Sequence, residues 1–280
     1  MTILDTGVKI VRNVGRFTFG DGAVTGVADL VAAKRNEKSS HAVFLIDDYF
    51  KDEYYIASSL GAKPTDAVHF VSTVEEPTTQ GIDELVIELK KSGHSEPATI
   101  VGFGGGITLD TAKAISNLLT NGGKAADYQG WDLVRVPGVH KIGVPTISGT
   151  GSEATRTCVM TNIDTGLKLG MNSDFTVFDH VVLDPNLTRT VPRNQYFYTG
   201  MDAYIHCIEA LAGSYRNAIG DAYSRETVNL CRNVFLSNDM MTDERRSDLM
   251  VASYLGGCAI ATSYVGVVHP FSAALSVVFG

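Results

Sequence analysis

Apolar residues follow two different rhythms along this chain of 280 residues. In its first part, near-continuous apolar runs at residues 42–46 and 99–103 alternate with stretches in which apolar positions recur every three or four residues, as Ile82, Leu85, Val86 and Leu89 do within 81–89. Unbroken runs of that kind read as strands buried on both faces, and the three-to-four spacing reads as a helix with one buried stripe. Residues 141–144 read as a further strand. The alternation predicts an α/β unit, a parallel sheet flanked by helices. After Val182-Leu183-Asp184-Pro185 the β-branched runs thin out, and long periodic segments rich in Ala, Leu, Met, Tyr and Cys take over. These predict helices near 193–213, 217–236 and 243–264 and a domain boundary that divides the chain into residues 1–184 and 185–280.

Composition narrows the range of functions. A hydrophobic content of 44% supports a large core, and a formal net charge of −8 with no Lys/Arg-rich face argues against nucleic acid as the partner. No stretch reaches about 18 uninterrupted apolar residues, and Met1-Thr2-Ile3-Leu4-Asp5 lacks a basic flank followed by an apolar run, so neither membrane spanning nor export is expected. Cys158, Cys207, Cys231 and Cys258 are widely spaced and form no Cys-x-x-Cys, which fits a reducing cytoplasm better than a disulfide framework. The sequence stops at Phe279-Gly280 inside an apolar, helix-like stretch without a cap, which predicts a truncated C-terminus.

Four motifs carry chemistry. Asp202 and His206 stand four apart in Gly200-Met201-Asp202-Ala203-Tyr204-Ile205-His206, so a helix presents both on one face, where they can grip one divalent ion. Taken alone, such a pair is more often an ordinary hydrogen-bonded couple; His269, among apolar neighbours with no obvious group to neutralise it, is a third candidate ligand or else a core histidine bonded to a backbone carbonyl. Gly104-Gly105-Gly106 follows the strand at 99–103 and opens a helix at Thr108-Leu109-Asp110. Such a turn leaves backbone N–H groups uncovered at the positive helix end, suiting a pyrophosphate, although a plain strand-to-helix turn is the competing explanation. Asp47, at the end of the strand at 42–46, is placed to bond a ribose hydroxyl; in the ordinary dinucleotide fingerprint, however, the glycines come first and the acid follows. Pro145-Thr146-Ile147-Ser148-Gly149-Thr150-Gly151-Ser152-Glu153 combines small residues and hydroxyls, either as a polar loop or as a wall for a cofactor. Trp131 reads as loop packing ahead of a strand, the 243–246 acidic-basic cluster as a solvated helix start, and His41, His69, His94, His140 and His180 stand outside any candidate site.

In this order, and with Asp184-Pro185 between them, these motifs resemble the iron-dependent (group III) alcohol dehydrogenase family over essentially the whole chain. The resemblance implies an α/β N-terminal nucleotide-binding domain, an all-α C-terminal metal-binding domain of the kind also found in dehydroquinate synthase, and a cleft between them. It implies Asp202, His206 and His269 as ligands of Fe²⁺ or Zn²⁺, through which they would be catalytic. It also implies Asp47 on the adenosine ribose, favouring NAD over NADP; Gly104, Gly105 and Gly106 on the pyrophosphate; and Asp110, Thr146, Ser148, Thr150 and Lys168 lining the cofactor.

The family's fourth ligand, a histidine about fourteen residues past the third, falls near position 283, beyond Gly280. Two departures stand out: Ile107 replaces the serine that usually extends the glycine run, and Ala273 replaces a histidine that many members use in handling the substrate proton. The wording around them most resembles members that oxidise the terminal C8 alcohol of 3-deoxy-D-manno-octulosonate, a lipopolysaccharide sugar, to an aldehyde ready for amination. That resemblance implies a small sugar-acid or alcohol substrate, a homodimer, and a functional link to a PLP aminotransferase. An NAD-dependent glycerol-type polyol dehydrogenase and a non-catalytic nucleotide-binding subunit are the alternatives, and the final electron acceptor, NAD or oxygen, stays open.

Overall fold

The computed structural model describes residues 11–36, 39–53 and 55–279. Their strands and helices run β1 Arg16–Phe19, α1 Val27–Ala32, β2 Val43–Asp47, α2 Ile56–Ser59, β3 Ala67–Val71, α3 Thr79–Lys91, β4 Ile100–Gly104, α4 Gly106–Asn121, β5 Gly130–Trp131, β6 Lys141–Pro145, β7 Thr157–Asn162, β8 Leu167–Asn172, β9 His180–Leu183, α5 Arg193–Ala212, α6 Ala218–Phe235, α7 Asp243–Thr262 and α8 Val268–Phe279. They form two compact units: one holds Val14–Pro145 and Arg156–Asp184, the other Thr146–Thr155 and the chain from Pro185 onward. Thr146–Thr155 groups with the helices rather than with the sheet.

The first unit is built on a six-stranded sheet of order β1-β9-β6-β4-β2-β3 whose neighbours are all parallel. Val43, Phe44, Leu45, Ile46, Ile100, Val101, Phe103, Ile142 and Val144 have no exposed surface, so the central strands are covered on both faces, as their unbroken apolar runs require. Helix α3 buries Ile82, Leu85, Val86 and Leu89 on one stripe; Thr78 caps it by accepting the Gly81 N–H, and Lys90 and Lys91 face the negative end. A smaller sheet, β5-β8-β7, carries an antiparallel β7–β8 hairpin, and Trp131 lies in its two-residue edge strand rather than in a loop.

The strand order locates a place for a ligand by topology alone. The chain leaves β2 for β3 on one side and leaves β4 for β6 on the other, while β2 and β4 lie side by side. Open α/β sheets bind ligands at such a reversal, in the crevice beyond the carboxyl ends of the two strands. Here those ends are Asp47 and Gly104.

At the opposite end of β3, Asp66 ties the loops together. Its buried carboxylate accepts both terminal nitrogens of Arg35, at 2.7 and 2.6 Å, and the N–H groups of Ala42 and Lys63, at 2.8 and 2.6 Å. Burial pushes the Asp66 pKa up, but the bonds from Arg35, Lys63 and Ala42 outweigh it and hold the carboxyl below its usual range. Asp66→Ala is therefore expected to cost about 1–3 kcal/mol in urea unfolding, since the Arg35 guanidinium keeps only the Ser40 and Gly61 carbonyls as partners. Because the folded pKa is depressed, this contribution is present above the ordinary carboxylate pKa and fades as pH falls through the depressed value. An unfolding midpoint unchanged by the substitution contradicts this account.

In the second unit, α5, α6 and α7 pack around Tyr196, Ala203, Cys231, Val234, Met240, Leu249 and Ala252. Gly200 permits the close approach: a Cβ there meets Leu249 Cδ2 at 2.8 Å and Phe235 Cζ at 2.9 Å. Asn217 and Thr242 cap α6 and α7, and Asp243 and Glu244 occupy the first turn of α7, where the helix dipole favours acids. No described helix is long and apolar enough to cross a membrane.

Candidate metal centre and nucleotide crevice

Helix α5 places Asp202 and His206 one turn apart, and α8 brings His269 to them from far along the chain. Each of the three offers one ligand atom, and these atoms all lie within 4.8 Å of one another. His269 Nε2 is 3.2 Å from Asp202 Oδ1, His206 Nε2 is 3.9 Å from the same oxygen, and the two imidazoles stack with centroids 4.1 Å apart and planes inclined by 14°. One carboxylate and two imidazoles converging at this range form a donor set that suits a divalent transition metal. The sequence-predicted trio is thus brought together.

The electrostatics of the two histidines differ. His206 is buried, its Nδ1 has no partner among the described residues, and burial pushes its pKa down to about 4 against the pull of Asp202. It is therefore neutral near pH 7, the form in which an imidazole binds metal. Burial lowers the His269 pKa as well, but Asp202 and Glu209 facing its two ring nitrogens more than reverse this and raise it. Glu209 was absent from the expectations drawn from sequence, which found nothing to neutralise His269. Its carboxylate meets His269 Nδ1 and accepts the Val268 N–H at 2.6 Å. Burial raises the Glu209 pKa, and the bonds from His269, Val268 and Gly266 bring it below the ordinary value. The available signal was its position seven residues after Asp202, on the same helical face.

At the carboxyl ends of β2 and β4, Asp47 accepts the N–H of Tyr49 at 3.0 Å and also bonds the Gly105 N–H. Burial raises the Asp47 pKa, with Asp48 adding to it and the two N–H groups opposing. Gly104 is needed for this approach, since a Cβ there sits 2.7 Å from Thr108 Oγ1 and 2.8 Å from Asp47 Cβ. Helix α4, starting at Gly106 after the N-cap Gly105, has no side-chain cap, and the buried Thr108 hydroxyl in its first turn finds no partner among the described residues. Uncapped N–H groups at the start of a 16-residue helix, beside a cradle that any Cβ fills, fit an anionic phosphate group. Alongside lies a cavity of about 450 Å³ lined by His69, Glu76, Thr78, Ile82, Ile107 and Thr111, so His69, set aside from the sequence, does border a concavity.

The remaining predicted cofactor residues are more constrained. Asp110 accepts the Val159 N–H at 2.9 Å and lies 3.8 Å from the buried Lys113 ammonium, so it braces α4 against β7. Lys168, on β8, pairs with Glu76 at the cavity rim. Thr146 and Ser148 are buried, with the Ser148 hydroxyl unpartnered among the described residues, and the Thr150 hydroxyl accepts the Ser152 N–H at 3.3 Å.

The chain thus carries a doubly wound parallel sheet in one unit and a carboxylate–imidazole trio in the other. The chain belongs to the iron-containing alcohol dehydrogenase family: the family described as "Iron-containing alcohol dehydrogenase" matches residues 15–185, and "Fe-containing alcohol dehydrogenase family, C-terminal" matches 196–280. Sulfoacetaldehyde reductase of Bilophila wadsworthia is 34% identical over 206 residues, covering 72% of this chain and 52% of that protein. Alcohol dehydrogenase 4 of Schizosaccharomyces pombe is 32% identical over 216 residues, covering 76% and 50% respectively. The chain thus spans about half the length of these curated relatives. Sulfoacetaldehyde reductase from Bifidobacterium kashiwanohense, solved in complex with NAD⁺, shares the fold with a TM-score of 0.77 at 21% identity, over 97% of this chain and 74% of that one.

Proposed function

We propose that the protein is a divalent-metal-dependent, NAD-linked oxidoreductase that interconverts a primary alcohol and its aldehyde, working as a homodimer. The convergence of Asp202, His206 and His269 carries this reading. A bound Fe²⁺ or Zn²⁺ supplies acidification of the substrate hydroxyl, and a bound nicotinamide supplies acceptance of hydride from the carbinol carbon. The chain's own residues do the holding. Asp202 brings the negative charge that a dication requires, and neutral His206 binds without first losing a proton. The bare start of α4 and Gly104, Gly105 and Gly106 receive the pyrophosphate. Asp47 accepts from the ribose hydroxyls and repels a 2′-phosphate, which favours NAD over NADP. The 450 Å³ cavity next to this turn suits the adenosine. Lys168 adds to the cofactor lining, and Asp110 fixes the helix that presents the turn.

The finer reading of the substrate is the C8 alcohol of 3-deoxy-D-manno-octulosonate, whose aldehyde is then consumed by a PLP-dependent amino-group transfer. It is supported by the chain's wording at Ile107 and Ala273. With alanine at 273, proton handling passes to water, a ribose hydroxyl of the cofactor or another side chain. The experiment is elemental analysis of the intact protein, paired with assays of NAD⁺ reduction on 3-deoxy-D-manno-octulosonate and 1,3-propanediol and of NADH oxidation on sulfoacetaldehyde. About one Fe or Zn per chain is expected, with turnover lost on chelation and kcat/KM for NAD⁺ at least about tenfold above NADP⁺. Turnover of the simple alcohol or of sulfoacetaldehyde alone keeps the class and replaces the substrate. Cofactor binding with neither metal nor turnover overturns the proposal in favour of a nucleotide-binding protein.

A further inference from the structure

We infer that Glu209 is a positioning residue of the metal centre: its carboxylate sets the ring of His269 and pins the start of α8, so that the third ligand is held ready for the ion. The inference rests on the proposed metal site and deepens it. Asp202, His206 and Glu209 fall on α5 at intervals of four and three, so one helical face carries two candidate ligands and the group that orients the third. Three contacts converge on the Glu209 carboxylate. His269 Nδ1 meets Oε2, the Val268 N–H donates to Oε1 at 2.6 Å, and the Gly266 N–H bonds the same group. Val268 is the first residue of α8, so its N–H is one that no turn of the helix satisfies, and His269 is its neighbour. A single carboxylate therefore fixes both the backbone that carries the ligand and the ligand's ring.

The consequence for the imidazole appears when an ion is bound. With Nδ1–H kept on Glu209, Nε2 is the nitrogen that would serve the ion, and the proton it shares with Asp202 Oδ1, 3.2 Å away, would leave on binding. Carboxylate–histidine pairs of this kind orient metal-binding imidazoles and raise their basicity, and losing the outer partner weakens metal affinity by about 10–100-fold. The turn before α8 is fitted to this carboxylate: a Cβ added at Gly266 meets Glu209 Oε1 at 2.8 Å and its Cβ and Cδ at 3.2 Å. Gly266→Ala therefore disturbs the carboxylate without removing any charge or any ligand.

The test is Zn²⁺ titration of the intact, metal-free protein against a competing chelator, with thermal melting of the metal-free form measured alongside. Glu209→Gln keeps the shape but cannot accept from both Val268 and His269. It is expected to weaken Zn²⁺ binding about 10–100-fold, and Gly266→Ala about tenfold, while both melt within a few degrees of the parent. Folded Glu209→Gln and Gly266→Ala proteins that bind Zn²⁺ as tightly as the parent overturn the inference and leave the metal site standing; so does a lowered melting temperature with unchanged affinity, the mark of a purely structural role. A parent protein that binds no Zn²⁺ overturns both.

Discussion

Asp202→Ala is expected to leave the intact protein without bound Fe²⁺ or Zn²⁺ and to lower alcohol-dependent NAD⁺ reduction by on the order of 10³-fold or more, with the fold retained. The size of the effect follows from the donor set. Asp202 is the only carboxylate of the trio, and its Oδ1 lies 3.2 and 3.9 Å from the Nε2 atoms of His269 and His206. Without it, two imidazoles and no charge remain to hold a dication. Stability depends on it much less, because the side chain is 38% exposed and lies outside the cluster around Tyr196 and Leu249. Urea unfolding of the metal-free variant is therefore expected within about 1 kcal/mol of the metal-free parent. His206→Ala serves as the second arm, with the same loss of metal and a larger cost in stability, since that ring is buried. Full activity in a metal-free Asp202→Ala protein sinks the catalytic reading of the trio.

Much of the framework was legible because it rests on local pattern. The runs at 42–46, 99–103 and 141–144 are central strands, and an unbroken apolar run has that appearance whatever its neighbours are. Helices α5, α6 and α7 lie within a residue or two of where periodicity put them. Strand β1 was not legible: Arg16–Phe19 is exposed along its whole length and carries no stripe. Neither was β3, where exposed Val68 and Phe70 alternate with half-buried Ala67 and His69 and buried Val71, nor the β7–β8 hairpin, which mixes polar and apolar positions.

The site divides in the same way. Asp202 and His206 share a face by spacing alone, whereas Glu209 acquires its meaning only when the Gly266 turn brings His269 back across sixty residues. The reversed order of acid and glycines, odd against the ordinary fingerprint, has a topological cause: Asp47 and Gly104 end the two adjacent strands at which the sheet changes direction, so chain order is irrelevant to their meeting.

The loop Thr146–Thr155, which groups with the helical unit, yields the second large effect. Gly149 has φ +147°, and a Cβ there lies 1.6 Å from the Thr199 carbonyl oxygen, 2.1 Å from its carbon and 2.9 Å from Gly200 N. All three are backbone atoms of α5, so no rotamer change relieves the overlap. Gly149→Ala is expected to cost about 4 kcal/mol or more, the range reached only when backbone strain and overpacking combine. Gly93→Ala isolates the first contribution, because Gly93 also has positive φ, +85°, but has nothing within 4 Å of its added Cβ; it is expected to cost about 1 kcal/mol. The comparison also reaches the metal centre. Thr199 stands three residues before Asp202 on the same helix, so pushing the loop away from α5 displaces the turn that carries the first two candidate ligands. Zn²⁺ affinity of Gly149→Ala is thus expected to fall at urea concentrations where the helical unit is still folded, whereas Gly93→Ala keeps it. If the two alanine variants unfold at the same urea concentration, the loop is not seated against α5 as described, and the small residues of 146–155 require a different explanation.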